Sequence, residues 1–434
     1  MTRVAIIGAG WAGACAALTL ARAGIHVSVF EATKVVGGRA RKVEKDGRVF
    51  DNGQHLLLGA YARSVALMES LHPAMNEAVL RLPLTLRAAP GSESDLHMAA
   101  PRIKAPLHLL AAIAGASGLS VLDKLTTIAW AARYLGGRSV PGTMTVASLI
   151  AGQTSDVRRL LWEPLCIAAL NTPAATASAL VFVEVLRRAF TGDPTASDLI
   201  VPRLNLSQLL PEPALAEIRA RGGTVRMETP VVAVSVNDEF VDVATQDEKL
   251  RFDRVILATG PQHVSRLLNS ELTTQSVVAA LRELQFEPIT TYHYEFAFVS
   301  PGIDVACPML MLDGEPGQWL FWQRLPNGHW RASVVISAHH RSASHDEMPT
   351  RTLSQLRRSY VLPEPIWHQA ITEKRATYAC TPAQTRLLAS LPKQIGNLLF
   401  AGDWCVPELP ATLEAAVISG ENAAIAIINS DGHD

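Results

Sequence analysis

The chain lacks several features that would assign it to a simple class. Its 434 residues include only five cysteines, Cys15, Cys166, Cys307, Cys380 and Cys405. They are scattered, odd in number and form no C-x-x-C, which excludes a disulfide framework and a cysteine-built metal centre and predicts a reducing, cytoplasmic setting with no metal. There is no excess of charge: 39 Lys and Arg stand against 40 Asp and Glu. The basic footprint of a nucleic-acid binder is therefore missing. No apolar run reads as a transmembrane span. The nearest, 107–122, is short and is broken by His108, Ser117 and Ser120. Finally, there is no second well-placed Gly-x-Gly-x-x-Gly to mark a separate nicotinamide site.

What is present is concentrated first in residues 4–41. Val4–Ile7 is a short apolar strand that runs into Gly8-Ala-Gly10-Trp-Ala-Gly13. A helix then spans 14–23, and Ile25 to Phe30 forms a second strand closed by Glu31. Strand, glycine turn, helix, strand and acid form a dinucleotide-binding unit. Gly8 permits the sharp turn, Gly10 admits a pyrophosphate, and Gly13 lets the helix pack on the strand. The helix N-terminus offers N–H groups to phosphates, and Glu31 is placed to accept from ribose hydroxyls. Residues 4–21 carry no charge, as a signal peptide might, but the glycines interrupt the run and the pattern continues to Glu31.

Gly37-Gly38-Arg39 follows directly. This pairing resembles the FAD enzymes that include the amine oxidases and the phytoene desaturases. Two further segments, in the family's order, strengthen the likeness. Residues 222–260 give Gly-Gly, strand, Val231 and a strand ending Ala258-Thr-Gly260. Residues 397–420 give a buried strand ending Gly402-Asp403, then Thr412-Leu413-Glu414 opening a terminal helix.

The resemblance implies FAD. It implies that Ala12, Ala32, Gly37, Gly38 and Arg39 lie along the dinucleotide, that Val231 meets the adenine, and that Ala258 and Gly260 pass nearby. Gly53, Gln54 and His55 would lie beside the flavin ring. Gly402 and Asp403 would hold the ribityl or pyrophosphate region, and Thr412 and Leu413 the pyrimidine edge, where a helix N-terminus favours negative charge. Ala415 stands where the family usually has Gly, which lessens backbone access.

The implied fold is α/β: a Rossmann-like FAD-binding domain of the amine-oxidase type beside an α+β substrate domain of antiparallel sheet and helices. The expected FAD-binding domain is assembled from 1–61, 201–265 and 386–430, and the substrate domain from 62–200 and 266–385. Periodicity predicts mostly helix over 62–200. Alternation predicts antiparallel strands between 290 and 338, with Asn327-Gly328 as one turn. Tyr292, Tyr294, Phe296, Phe298, Phe321 and Trp322 either wall an apolar cavity or form an ordinary sheet core. The stretch 101–138 is apolar yet basic, with Arg102, Lys104, Lys124, Arg133 and Arg138 against Asp123. It is either a core helix pair or a contact with a membrane surface, which would place the protein peripherally on the inner face of the cytoplasmic membrane.

Over essentially the whole chain, residues 51–61, 162–172, 196–203 and 409–414 are similar to the squalene-associated FAD proteins of bacterial hopanoid clusters, the hydroxysqualene dehydroxylase family. The resemblance implies reductive removal of the hydroxyl from hydroxysqualene, a C30 isoprenoid alcohol, to give squalene. Protonation would release water, leave an allylic cation, and draw hydride from reduced flavin. A flavin reductase or NAD(P)H would supply the electrons. His55 and Glu414 are the candidate acids, Asp403 being committed to the cofactor and Glu414 in part to its helix start. His55 has an alternative as a turn-capping histidine, and Cys405 reads as a small buried hydrophobe. The rival readings are an oxidative polyprene desaturase, an amine oxidase, and a lipid-escort protein without FAD.

Overall fold

The computed structural model describes residues 2–431 apart from 269–273, 300–301, 305, 314–315 and 339–346. Its centre is a six-stranded sheet. The strand order is Thr224–Arg226, His26–Phe30, Arg3–Ile7, Arg254–Leu257, Leu398–Phe400 and Gln394–Ile395. All neighbours run parallel except the last pair. Strands from three distant stretches of the chain thus build one layer. Their continuous apolar runs suit a parallel sheet covered on both faces: Val4, Ala5 and Ile6 are wholly buried.

The alanine-rich helix Trp11–Arg22 lies on this sheet, and the terminal helix Leu413–Asp431 lies on that helix. The approach is close because of two glycines. A Cβ on Gly13 would stand 1.9 Å from the Gly8 carbonyl oxygen, and one on Gly420 would stand 2.2 Å from that of Ala12. The terminal helix therefore packs against the start of the first helix.

A second sheet is antiparallel, in the order Met309–Met311, Trp319–Arg324, Trp330–Ser337, Phe286–Phe296 and Trp367–Tyr378. The alternation over 290–338 is borne out. The last of these strands was not expected, because its pattern is irregular and it is held by pairing with Phe286–Phe296 across about 80 residues of chain.

Residues 62–200 are mostly helical, as expected, but short strands interrupt the helices. Val79–Leu82, Thr85–Arg87 and His97–Ala99 are strands, the first held by the non-local partner Leu199–Pro202. The apolar stretch 107–135 forms two helices, Leu107–Gly115 and Val121–Leu135. The second starts at a capping box in which Ser120 Oγ accepts from Asp123 N and Asp123 accepts from Ser120 N.

The short strand Arg48–Asp51 is tied to the helix Leu206–Leu209 by Leu206 N donating to Asp51 Oδ1 at 2.8 Å. Burial pushes the Asp51 carboxyl up to about 7, against that hydrogen bond and Arg331. An acid raised in the folded state costs stability as pH climbs from its unfolded value to its folded one. Asp51→Asn keeps an oxygen for Leu206 and removes the ionisation. Its melting temperature relative to wild type should rise between about pH 4 and pH 7 and stay level above. A pH-independent difference in thermal melts would contradict the assignment.

Candidate active site

A large cavity of about 960 Å³ runs from the glycine turns to the antiparallel sheet. That is near the upper end of the roughly 300–1,000 Å³ usual for ligand sites. One end is a cradle of backbone. Gly8 has φ 104, and a Cβ there would sit 2.7 Å from the Ala258 oxygen. Gly37 N donates to Ala9 O at 2.9 Å, which stitches the second glycine turn to the first. Glu31 braces both: Oε2 accepts from Ala9 N at 2.9 Å, and Oε1 accepts from Thr33 N at 2.9 Å and Thr33 Oγ1 at 2.7 Å.

Ala12, Ala32, Gly10, Gly38, Val231, Ala258 and Gly260 continue the wall. Gly13 does not line it; it is packed beneath Gly8. Further along come Arg39 and Asp403, with Arg39 Nη2 donating to Asp403 Oδ1 at 2.7 Å. Gly402, Thr412, Leu413, Gly53, Gln54 and His55 complete this half. Thr412 Oγ1 accepts from Ala415 N at 3.2 Å and so caps the terminal helix.

The two candidate acids do not take that role. Glu414 turns away from the cavity and caps a different helix, Ala62–Leu71. It accepts from Arg63 N at 3.0 Å, Ser64 N at 2.8 Å and Ser64 Oγ at 2.7 Å. His55 does line the cavity, but burial lowers its pKa against its bond to Gly53, and the positive Arg39 lowers it further. The neutral ring donates Nδ1–H to Gly53 O at 2.8 Å, which leaves Nε2 as an acceptor. It stands as a turn-bracing histidine. Cys405 is buried away from the cavity with its thiol pushed up by that burial.

The other half of the cavity is apolar. Leu58, Leu84, Leu86, Leu165, Leu186, Phe190, Leu199, Met309, Phe321 and Val335 form it. Of the six aromatic positions considered from the sequence, only Phe321 faces this space. Tyr292, Tyr294, Phe296 and Trp322 stand on the opposite side of the pleat in a separate core cluster, and Phe298 is exposed. Asn171, Ser337, Glu373 and Thr377 also line the cavity. Asn171 lies in the 162–172 segment that resembles the family, and Thr377 lies on the unexpected strand. No group of His, Cys, Asp and Glu among the described residues fits a metal ion.

A family model for flavin containing amine oxidoreductases matches residues 195–428, and one for NAD(P)-binding Rossmann-like domains matches 6–71. A hydroxysqualene dehydroxylase from Rhodopseudomonas palustris is 31% identical over 97% of both chains. The chain belongs to the hydroxysqualene dehydroxylase family. Another member, from Sinorhizobium fredii, is 30% identical over 97% of both chains. Among solved structures, a putrescine oxidase triple mutant superposes with a TM-score of 0.74 over 99% of both chains at 18% identity, a likeness of fold.

FAD is the cofactor of this family, and the cradle fits it. The wall at Gly8, Gly10, Gly37 and Gly38 presents backbone without side chains, next to the uncapped N-terminus of a 12-residue helix. The cavity stays open from this cradle to the apolar half.

Glu414→Ala separates a capping role from an acid role. The loss of three hydrogen bonds should lower the melting temperature by roughly 3–6 °C. Bound flavin, and the pH dependence of turnover per bound flavin, should be those of wild type. An unchanged melt with one limb of the pH profile missing would restore Glu414 as a catalytic acid.

Proposed function

We propose that this chain, carrying reduced FAD, removes the hydroxyl of hydroxysqualene and releases squalene. One observation carries this reading: the dinucleotide cradle opens without a partition into a compartment walled by leucine, valine, methionine and phenylalanine. Such a compartment suits a hydrocarbon chain. Bound reduced FAD supplies a hydride equivalent to a substrate carbon.

The chain's own residues do the rest. The apolar wall takes the isoprenoid out of water, which protects an allylic cation once the hydroxyl departs. Arg39 and Asp403 neutralise one another beside the cradle. His55, neutral with Nε2 as an acceptor, adds no positive charge there. The reductant, NAD(P)H or a flavin reductase, acts from outside this cavity's apolar half.

The test is anaerobic. Purified protein whose flavin has been reduced with dithionite is mixed with hydroxysqualene. Squalene should form in step with flavin reoxidation, one molecule per flavin. Flavin that remains reduced over unchanged substrate would overturn the reductive reading.

A lipid-facing position is part of the same proposal. Among the described residues no helix is long and apolar enough to cross a membrane. The 101–138 stretch nevertheless leaves Ile103, Leu107, Val121, Leu122 and Leu125 exposed, Val121 at 74%. Lys104 and Lys124 stand among them. Apolar side chains with neighbouring lysines suit an anionic bilayer surface, the phase in which the substrate dissolves. Leu122→Glu combined with Leu125→Glu should reduce co-sedimentation with anionic phospholipid vesicles about tenfold, with circular dichroism unchanged. Equal sedimentation of variant and wild type would remove this surface from the account.

A further inference from the structure

The apolar half of the cavity holds one group of polar side chains that the cofactor cradle does not use. Asn171 ends the helix Glu163–Leu170 in a left-handed conformation, φ 46. It is 5% exposed. Its Oδ1 accepts from Ala338 N at 3.0 Å, and a backbone N–H can only donate, so the amide's orientation is determined. Ala338 is also left-handed, φ 46. Two left-handed residues that are not glycine, joined by one hydrogen bond, form an uncommon arrangement that tends to be kept at working sites.

The other end of the amide faces the cavity wall. Asn171 Nδ2 donates to Thr377 Oγ1 at 2.9 Å and to the Glu287 carbonyl at 3.4 Å. Thr377 Oγ1 is therefore occupied as an acceptor. Its own hydrogen has no acceptor among the described residues, and Thr377 lines the cavity. Ser337 lies in the same wall. Its main chain is fixed on both sides by Gln318, with Ser337 N donating to Oε1 at 2.8 Å and Ser337 O accepting from Nε2 at 3.2 Å. Its hydroxyl has no partner among the described residues.

The location is as informative as the chemistry. Thr377 follows Ala376, whose carbonyl accepts from Arg39 Nη1 at 2.8 Å. Arg39 in turn holds Asp403. The free O–H thus stands at the border between the cofactor cradle and the leucine-lined compartment. A long hydrocarbon in an apolar tube has little to set its register, because dispersion and burial change little when it slides. A single oriented donor at the border sets it.

We propose that Thr377, oriented by Asn171, donates a hydrogen bond to the hydroxyl oxygen of the substrate and so selects the carbon presented to the cofactor, with Ser337 as a second polar contact. This rests on the dehydroxylase reading. Thr377 touches substrate; Asn171 is a positioning residue. The product has no oxygen, so it loses this bond and keeps only the apolar contacts.

The test uses oxidised holoenzyme, in which no turnover occurs. Hydroxysqualene and squalene are titrated separately, and the perturbation of the flavin absorption spectrum is followed. Thr377→Val keeps the shape and removes the O–H. It should weaken the alcohol about tenfold and leave squalene affinity unchanged. Thr377→Ser should restore the alcohol. Asn171→Gly, which tolerates the left-handed backbone, should give the same selective loss.

Equal losses for both ligands would reduce Thr377 to a wall residue and overturn the assignment, as would no loss for either. Wild-type holoenzyme that responds to squalene but not to the alcohol would also overturn it. Wild-type holoenzyme blind to both ligands would instead remove the dehydroxylase reading itself, and this assignment with it.

Discussion

The structure depends on what one guanidinium joins. Arg39 leaves the second glycine turn and donates to Asp403 Oδ1 at 2.7 Å and to Ala376 O at 2.8 Å, while its own carbonyl accepts from Asn52 Nδ2 at 3.2 Å. Those partners belong to the end of the parallel sheet and to the last strand of the antiparallel sheet. One side chain therefore links two sheets built from unrelated parts of the chain. A lysine cannot serve both acceptors with the same planar fork. Loss of the guanidinium would leave Asp403, 5% exposed, without its charge partner.

Close backbone approach does the remaining positioning. Gly8, Gly13 and Gly420 each stand where a Cβ would fall within 3 Å of a carbonyl oxygen. They bring the first turn, the first helix and the terminal helix together at one end of the cavity. Three acids at this end are engaged within the protein: Glu31 braces the turns, Glu414 caps a neighbouring helix, and Asp403 pairs with Arg39. What remains for a bound isoprenoid is an apolar wall with a small polar node. That division suits a reaction in which a positive charge develops on carbon and must not meet water or a nucleophile.

The cofactor half was legible in the sequence because its signals are local. Glycine spacing, the acid after the second strand and the Gly-Asp before the terminal helix each lie within a short window. Alternation likewise revealed the strands between 290 and 338. The illegible features are non-local. The strand Trp367–Tyr378 exists because Phe286–Phe296 pairs with it, and Val79–Leu82 because Leu199–Pro202 does. Glu414 looked like a residue beside the flavin, yet its partners are Arg63 and Ser64, some 350 positions away. Which aromatics face the cavity depended on the pleat, which alternation leaves ambiguous without a partner strand. Thr377 carried no sequence signal of its own, since it becomes polarised only by contact with Asn171.

Cleavage of a carbon–oxygen bond at the Arg39 junction, with hydrogen supplied from the cofactor, is tested most directly by a single turnover in deuterium oxide. The reactive hydrogen of a reduced flavin exchanges with solvent, whereas hydrogen on carbon does not. Mass spectrometry of the recovered squalene should show one deuterium per molecule, bound to carbon at the position that lost oxygen or at its allylic partner. Squalene formed without deuterium would contradict hydride delivery from the flavin and with it this account of the site.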